Sequence, residues 1–211
     1  MLGIDPMEWA SFTALGRRLG WWRAVRLGLA LRRRVDAGEP FAALPETDEK
    51  KEADSRAQIA PAVVLYRLLC EEMKSDEALV VVGDVVEAGA HVFLKSTIGP
   101  ISRDLFHGLE ADARHALLDE RVDRFPNTVY QIEEAGTEKV RFTVSMCRFV
   151  RLCKLAGVPE LTPVFCAVDA SYFSEVEPSV ELSRPTTLAQ GDTCCDFTLR
   201  FSDSAKTSDD A

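Results

Sequence analysis

A cysteine and an aspartate three residues apart form the first pair of side chains that could carry chemistry. Cys166 and Asp169 follow Thr162 and Pro163, a dipeptide typical of the start of a helix. Side chains at this spacing lie on one helical face, one turn apart. A thiol beside a carboxylate can act as a nucleophile with its base. The spacing also fits a buried cysteine that packs as a small apolar residue and an aspartate on the solvated face, so both interpretations stay open.

A second group of reactive and polar side chains surrounds a predicted turn at Gly191-Asp192. Its members are Arg184, Thr187, Cys194, Cys195, Asp196 and Arg200. Successive side chains of a strand point to opposite faces, so Cys195 shares a face with Phe197, and Asp196 shares the other with Arg200. This pattern fits a neutral pocket on the Cys195 side and an Asp–Arg pair on the other side. It also fits a core cysteine behind a surface ion pair.

The elements that must position these residues change type near residue 125. Upstream, helical spacing of apolar residues predicts helices over residues 56–74, from Ser75 to the Gly99-Pro100 break, and over 102–118. Downstream, alternation of apolar and polar residues predicts strands over residues 128–134, 140–144, 180–183 and 195–201. Two short helices are predicted between them, over residues 146–156 and from Thr162. We therefore predict an α+β fold, with a helical N-terminal half packed on a small antiparallel sheet formed by the C-terminal half.

The length of 211 residues suits a single domain, which we divide into four parts. Residues 1–38 are predicted to form a basic amphipathic helix. Residues 39–55 read as a connector, because they hold two prolines and a run of charges. Residues 56–201 form the α+β body, and residues 202–211 form a loose polar tail.

Charge is unevenly distributed along the chain and limits the classes of partner. The net charge is −9, yet residues 9–35 contain seven arginines and no acid, so the remainder is strongly acidic. An acidic body repels phosphate, and we expect no nucleic-acid binding outside the first 35 residues. No apolar run approaches the length of a membrane span, which excludes an integral membrane segment.

The basic segment carries an apolar stripe with helical spacing. The stripe consists of Phe12, Leu15, Leu19, Trp22, Val25 and Leu29. We favour packing of this face on the acidic body, with the arginines pairing to its surface, because Gly16, Gly20 and Gly28 weaken a free-standing helix. Arginines with tryptophan and leucine also suit an anionic interface, so peripheral membrane or partner contact of residues 9–35 is the alternative.

The six cysteines are expected to be reduced thiols. Asp5 and Glu8 occupy positions where a secretory signal would be basic, so we expect a cytoplasmic location. No two cysteines are spaced as in a structural zinc site, and the three histidines all lie in the helical half. We therefore expect neither a metal nor a cofactor.

Five short motifs occur in order over about 55 residues of the C-terminal third. They are Cys147-Arg148-Phe149, Gly157-Val158-Pro159-Glu160-Leu161, Cys166-Ala167-Val168-Asp169, Arg184-Pro185-Thr186-Thr187-Leu188 and Gly191-Asp192-Thr193-Cys194-Cys195-Asp196-Phe197. This combination resembles the L-2-amino-thiazoline-4-carboxylic acid hydrolase family. The chain departs from the family's pattern at Pro185, where threonine is usual, and at Thr198, where arginine often follows the aspartate and phenylalanine.

The resemblance implies hydrolytic opening of a small cyclic amidine, 2-amino-thiazoline-4-carboxylate, to an N-carbamoyl-cysteine. By their match to the motifs, the expected catalytic residues are Cys166, Asp169, Cys195 and Asp196. Arg184 is expected to hold the substrate carboxylate; the other expected substrate-binding residues are Thr187, Tyr172 and Arg200. Two other classes stay open. One is a non-catalytic ligand-binding or sensor domain of the 4-vinyl-reductase type, and the other is an interaction protein that docks through its basic helix.

Overall fold

A computed structural model describes residues 5–202. The helices in this part of the chain are α1 (Pro6–Leu19), α2 (Trp21–Asp36), α3 (Lys50–Cys70), α4 (Ser75–Ile98), α5 (Arg103–His107), α6 (Ala111–Asp123), α7 (Arg148–Leu155) and α8 (Thr162–Ser171). The strands are β1 (Thr128–Ala135), β2 (Lys139–Cys147), β3 (Val180–Ser183) and β4 (Cys195–Phe201). A helical N-terminal region is followed by an antiparallel sheet, so the predicted α+β class is confirmed. Except for Ser202, the predicted loose tail lies outside the described residues.

The four strands form one antiparallel sheet in the order β1-β2-β4-β3. β4 pairs with β2 so that Val144 lies opposite Cys195 and Phe142 lies opposite Phe197. The two phenylalanine rings stack with their centroids 4.8 Å apart. Two register shifts in the β1–β2 pair leave Ser145 of β2 and Glu133 of β1 without an opposite residue, which marks one bulge in each strand. The alternating residues of β2 and β4 therefore build one apolar sheet face.

The chain divides into two compact units, each built from two segments. The first comprises the chain up to Phe93 together with Arg148–Val168. The second comprises Leu94–Cys147 together with the chain from Asp169 onward, and it contains the whole sheet. The single-domain organisation stays a prediction.

The predicted connector is shorter than expected, because α3 begins at Lys50. Glu52, in the charge run that suggested a solvated segment, is buried in the first unit. Its carboxylate lies 2.9 Å from Nε of Arg56 and 3.7 Å from Nε of Arg148, and it also accepts a hydrogen bond from Arg151. Local composition does not reveal this ion-pair cluster, because two of the three arginines follow about 100 residues later.

The single N-terminal helix expected from the stripe is instead two helices, α1 and α2, separated at Gly20. Gly20 has φ +84°, a left-handed conformation that only glycine adopts readily, and the chain changes direction there. Because of this break, the apolar positions of α1 and those of α2 do not lie on one continuous helical face. Leu15 of α1 and Leu27 of α2 are buried in the core of the first unit, whereas Trp22 of the predicted stripe is 91% exposed. The stripe therefore does not pack as one face.

The arginines of α1 and α2 pair with acids of the first unit, as the packed arrangement of this segment predicts. Arg23 and Arg26 both bind the carboxylate of Glu72, at 2.9 Å and 2.7 Å. Arg34 lies 2.9 Å from Glu71. These pairs and the buried Leu27 fix which side of α2 faces inward.

Close contact between α1 and α2 requires a glycine at position 16, and this leads to a prediction. A Cβ atom at Gly16 would lie 2.5 Å from two ring carbons of Trp21. We expect Gly16→Ala to lower the free energy of unfolding by about 1–3 kcal/mol through overpacking. Gly28→Ala is the matched control, because its Cβ would meet nothing within 4 Å and should stabilise α2 by about 0.5–1 kcal/mol. Urea denaturation measures both, and equal stabilisation by the two variants would contradict the contact.

The helix expected over residues 102–118 is two helices, α5 and α6. Ser102 caps α5 by accepting a hydrogen bond from the Leu105 N–H at 3.2 Å, and α5 ends at Gly108. α6 then extends to Asp123, five residues beyond the predicted end. Within residues 5–202, no helix is both long enough and apolar enough to cross a membrane.

Candidate active site

An apolar cavity of about 130 Å³ lies inside the second unit. The sheet supplies Phe142, Val144, Phe197 and Leu199 to its wall, and helices supply apolar residues that include Ile98 and Leu118. Drug-sized ligands occupy pockets of about 300–1,000 Å³, whereas cavities of about 150 Å³ hold a ligand the size of benzene. The cavity therefore suits a ligand with a single small ring.

An ion pair provides charge at the wall of this cavity. Asp169, near the end of α8, is one of the lining residues. Nη1 of Arg184 donates a hydrogen bond to Oδ2 of Asp169 at 2.5 Å. The Arg184 guanidinium also lies over the ring of Phe197, 5.1 Å from its centroid, in a cation–π contact. The cavity therefore combines apolar walls with a fixed carboxylate.

The sheet register explains how Arg184 reaches this place. β3 ends at Ser183, which lies opposite Thr198 of the antiparallel strand β4. One further residue along β3 brings the chain to Arg184, and one step back along β4 brings it to Phe197. The arginine therefore lies beside Phe197 because of strand pairing.

Asp169 has an environment that makes its carboxylate unusually basic. Burial raises the pKa of Asp169, and the charge and hydrogen bond of Arg184 oppose this effect without cancelling it. The Asp169 side chain keeps 30% of its surface accessible, compared with 12% for Arg184. A carboxylate with a raised pKa at a cavity wall is a candidate general base.

Cys195 lies next to the cavity on the same sheet face. It is buried, and it faces the same side as Phe197 and Val144 without being a lining residue. Its Sγ accepts a hydrogen bond from the Leu188 N–H at 3.3 Å. Burial raises the pKa of Cys195, whereas the Leu188 hydrogen bond and the charge of Arg184 act in the opposite direction. Cys195 therefore holds its proton at neutral pH.

Asp196 and Arg200 lie on the opposite face of β4. Asp196 forms a bidentate ion pair with Arg141 of β2, with distances of 3.2 Å and 3.0 Å. The expected Asp–Arg pair on this face is therefore present, with Arg141 as the partner instead of Arg200. Arg200 is exposed, and neither Asp196 nor Arg200 lines the cavity.

Thr187 stabilises the loop that leads from Arg184 to Cys195. Its Oγ1 accepts a hydrogen bond from the Gln190 N–H at 3.3 Å, which caps a short 3-10 helix. Its own N–H donates to Asp192 at 2.8 Å. Thr187 is buried and does not line the cavity. These contacts support the geometry of the loop.

The two remaining predicted residues lie on or next to α8. Tyr172 is buried and packs edge-on against Phe173, a lining residue, with ring centroids 5.2 Å apart. Cys166 is half-buried on α8, three residues before Asp169. The structure thus brings Asp169 and Arg184 together near Cys195. The catalytic role of Cys166 stays a prediction.

Arg121 of α6 is a candidate site residue that sequence reasoning missed. It lines the cavity, and its Nη1 donates to the carbonyl oxygens of Ile98 and Pro100, the latter at 2.6 Å. Its Nε is buried and has no hydrogen-bond partner among residues 5–202. Burial lowers the pKa of Arg121, and nearby Arg124 adds to this effect. One signal in the sequence could have revealed it. Arg121 lies three residues after Leu118, so the two side chains share one helical face.

The cysteines and the other potential metal ligands of residues 5–202 form no cluster. All six cysteines are free thiols. No group of three or more histidine, cysteine, aspartate or glutamate side chains in residues 5–202 could hold a metal ion. The predicted cytoplasmic location stays a prediction.

These features define an α+β protein with a small-molecule cavity and an ion-paired carboxylate at its wall. The model of the L-2-amino-thiazoline-4-carboxylic acid hydrolase family matches residues 53–199, and the chain belongs to this family. The resemblance found in the motifs is thus confirmed. No curated protein and no solved structure matches the chain. Membership suggests a hydrolase that acts on a cyclic C–N substrate, which implies a small-molecule substrate.

Proposed function

We propose that the protein hydrolyses a small cyclic amidine that carries a carboxylate, of the 2-amino-thiazoline-4-carboxylate type. The observation that carries this proposal is the Asp169 carboxylate, whose raised pKa suits a base, at the wall of a cavity for a single ring. Family membership supports the same substrate class. The amidine is a cation when protonated, and a carboxylate in an apolar wall attracts such a cation strongly.

The proposed reaction adds one water molecule and opens the ring. Water attacks the ring carbon that carries the amino group, and Asp169 takes a proton from this water. The protonated amidine already carries a proton on its ring nitrogen. The tetrahedral carbon expels the ring sulfur as its C–OH group becomes C=O. The proton held by Asp169 passes to the sulfur, and the hydroxyl proton is released to solvent water. The product is an N-carbamoyl-cysteine with a free thiol. A positioned base of this kind contributes about 10²–10⁴-fold to a rate.

Arg184 and Cys195 have supporting roles in this scheme. Arg184 is a positioning residue, because its hydrogen bond of 2.5 Å orients the Asp169 carboxylate. Cys195 is a neutral thiol at neutral pH, which disfavours attack by its sulfur on the ring. We assign it to the support of the wall behind Phe197, because it lies on the same sheet face and does not line the cavity.

Arg121 is the group that we assign to the substrate carboxylate, because it lines the cavity with an unpartnered buried Nε. We expect Arg121→Gln to raise KM by about 10–100-fold with a smaller change in kcat. The rise in KM corresponds to the loss of one hydrogen bond between charged groups. The effect should disappear with 2-amino-thiazoline, which lacks the carboxylate. Arg124→Gln is the control, because Arg124 is exposed directly after the end of α6 and binds Glu120 at 2.5 Å. Equal KM effects on both substrates would contradict the assignment.

The direct test of the proposed function is thiol release from 2-amino-thiazoline-4-carboxylate, followed with a thiol-detecting dye. The full chain should release one thiol for each ring opened. Cys195→Ser should retain part of this activity if water is the nucleophile. Complete loss in Cys195→Ser or Cys166→Ser, together with a trapped covalent adduct, would favour a cysteine nucleophile. Binding without thiol release would favour the ligand-binding or sensor class.

A further inference from the structure

α2 presents an apolar ridge to solvent on the side away from the core of the first unit. The outer ridge consists of Trp22, Val25 and Leu29, which are 91%, 43% and 63% exposed. Their spacing of three and four residues aligns them on one helical face. Single exposed apolar residues are common, but a contiguous row of large ones marks an interaction surface.

Positive charge flanks this ridge on both sides. At about 100° per residue, Arg26 and Arg33 lie on one side of the ridge and Arg32 lies on the other. All three are exposed, and Arg26 remains so while it binds Glu72 at 2.7 Å. Residues 9–35 contain no acid, and Asp36 at the end of α2 is the one acid of this helix, 3.8 Å from Arg32. The ridge and its borders therefore attract an anionic partner.

Half-exposed aromatic rings extend the ridge toward α1. Trp21 lies 5.9 Å from Phe12, and Phe12 lies 6.2 Å from Trp9, measured between ring centroids. Trp9 and Trp21 are both about half exposed. The opposite side of α2 is fixed, because Ala24 and Leu27 are buried in the core. The ridge cannot turn inward without removing these two residues from the core.

We propose that the first unit binds the surface of an anionic membrane through the outer ridge of α2. A helix of 16 residues is about 24 Å long and can lie in the plane of the interface. Helices bound in this way bury an apolar face of tryptophan and leucine and place basic residues among the lipid headgroups. A stable protein interface needs about 800 Å² on each partner, which a convex ridge of three side chains does not offer. This proposal goes beyond the proposed function and does not depend on it.

The test is flotation of the full chain with vesicles of phosphatidylcholine and phosphatidylserine, compared with vesicles of phosphatidylcholine alone. We expect binding to the anionic vesicles, a decrease as salt is added, and a blue shift of tryptophan emission. Trp22→Ala with Leu29→Ala should weaken partitioning at least about tenfold. Arg32→Gln and Arg33→Gln should each weaken it about fivefold. Val80→Ala is the matched control, because Val80 is exposed on α4 outside the ridge, and it should bind like the unaltered chain.

Three results would overturn the proposal. The first is an absence of binding to either kind of vesicle. The second is unchanged binding when Trp22 and Leu29 are both replaced. The third is a dimer, in sedimentation of the free protein, that the same double replacement dissociates, because a second copy of the chain would then cover the ridge. All the replaced side chains are exposed, so thermal denaturation should show unchanged folding in each variant.

Discussion

Replacing Asp169 with asparagine should lower kcat/KM for 2-amino-thiazoline-4-carboxylate by about 10²–10⁴-fold. The amide has nearly the same shape as the carboxylate and can still accept a hydrogen bond from Arg184. It cannot take a proton from water, so the loss reports on the base and not on packing. Steady-state kinetics with thiol detection measures the change.

Asp196→Asn is the matched control for this variant. Asp196 belongs to the same family pattern, but it binds Arg141 on the opposite face of β4 and does not line the cavity. We expect its kcat/KM to stay close to that of the unaltered chain. If Asp196→Asn were inactive and Asp169→Asn active, the chemistry would belong to the other face of the sheet.

The pH profile gives an independent reading of the same group. A general base works only when deprotonated, so kcat/KM should fall as the pH drops through the pKa of Asp169. Because burial raises this pKa, the fall should begin at a higher pH than for an exposed carboxyl group. Asp169→Asn should remove this acid limb from the residual activity.

Glu52→Ala should lower the free energy of unfolding of the first unit by about 3–5 kcal/mol. The buried Glu52 carboxylate faces Arg56, Arg148 and Arg151, and Arg148 is itself buried. Removing the acid leaves a buried cation without this charge partner, which costs more than the loss of an exposed pair. All three tryptophans lie in α1 and α2, so their fluorescence in urea reports on this unit.

Glu72→Ala provides the comparison at the surface. Glu72 binds Arg23 and Arg26, and each of the three side chains keeps at least 30% of its surface accessible. Exposed pairs contribute about 0–1 kcal/mol, so the variant should unfold near the midpoint of the unaltered chain. Similar losses in the two glutamate variants would show that burial of Glu52 does not govern its contribution.

The sheet could be predicted from the sequence because its signals are local. Alternation in β2 and β4 indicates strands by itself, and it correctly separates Cys195 from Asp196. Asp169 and Arg184 were both expected in one site, but the ion pair between them was not predicted. Their contact depends on the register of β3 against β4, which no single segment determines.

Two of the differences between sequence and structure arise from contacts between distant parts of the chain. Glu52 appears solvated until the arginines of α7 reach it. Arg121 was not singled out, because the residues that surround it in the cavity come from several separate segments. The break at Gly20 has a local cause, but glycine permits both continuation and reversal of a helix. Sequence periodicity therefore assigned the wrong face of α2 to the core.

Both edges of the sheet are protected against addition of a strand from another molecule. β3 is an edge strand of only four residues, and it lies between Pro178 and Pro185, which lack the N–H that a new strand would need. Its exposed Glu181 adds charge at the same edge. The opposite edge strand, β1, is bulged at Glu133, and this bulge interrupts its row of backbone groups. These features disfavour intermolecular β-pairing at the sheet edges, which is the step that starts fibril growth.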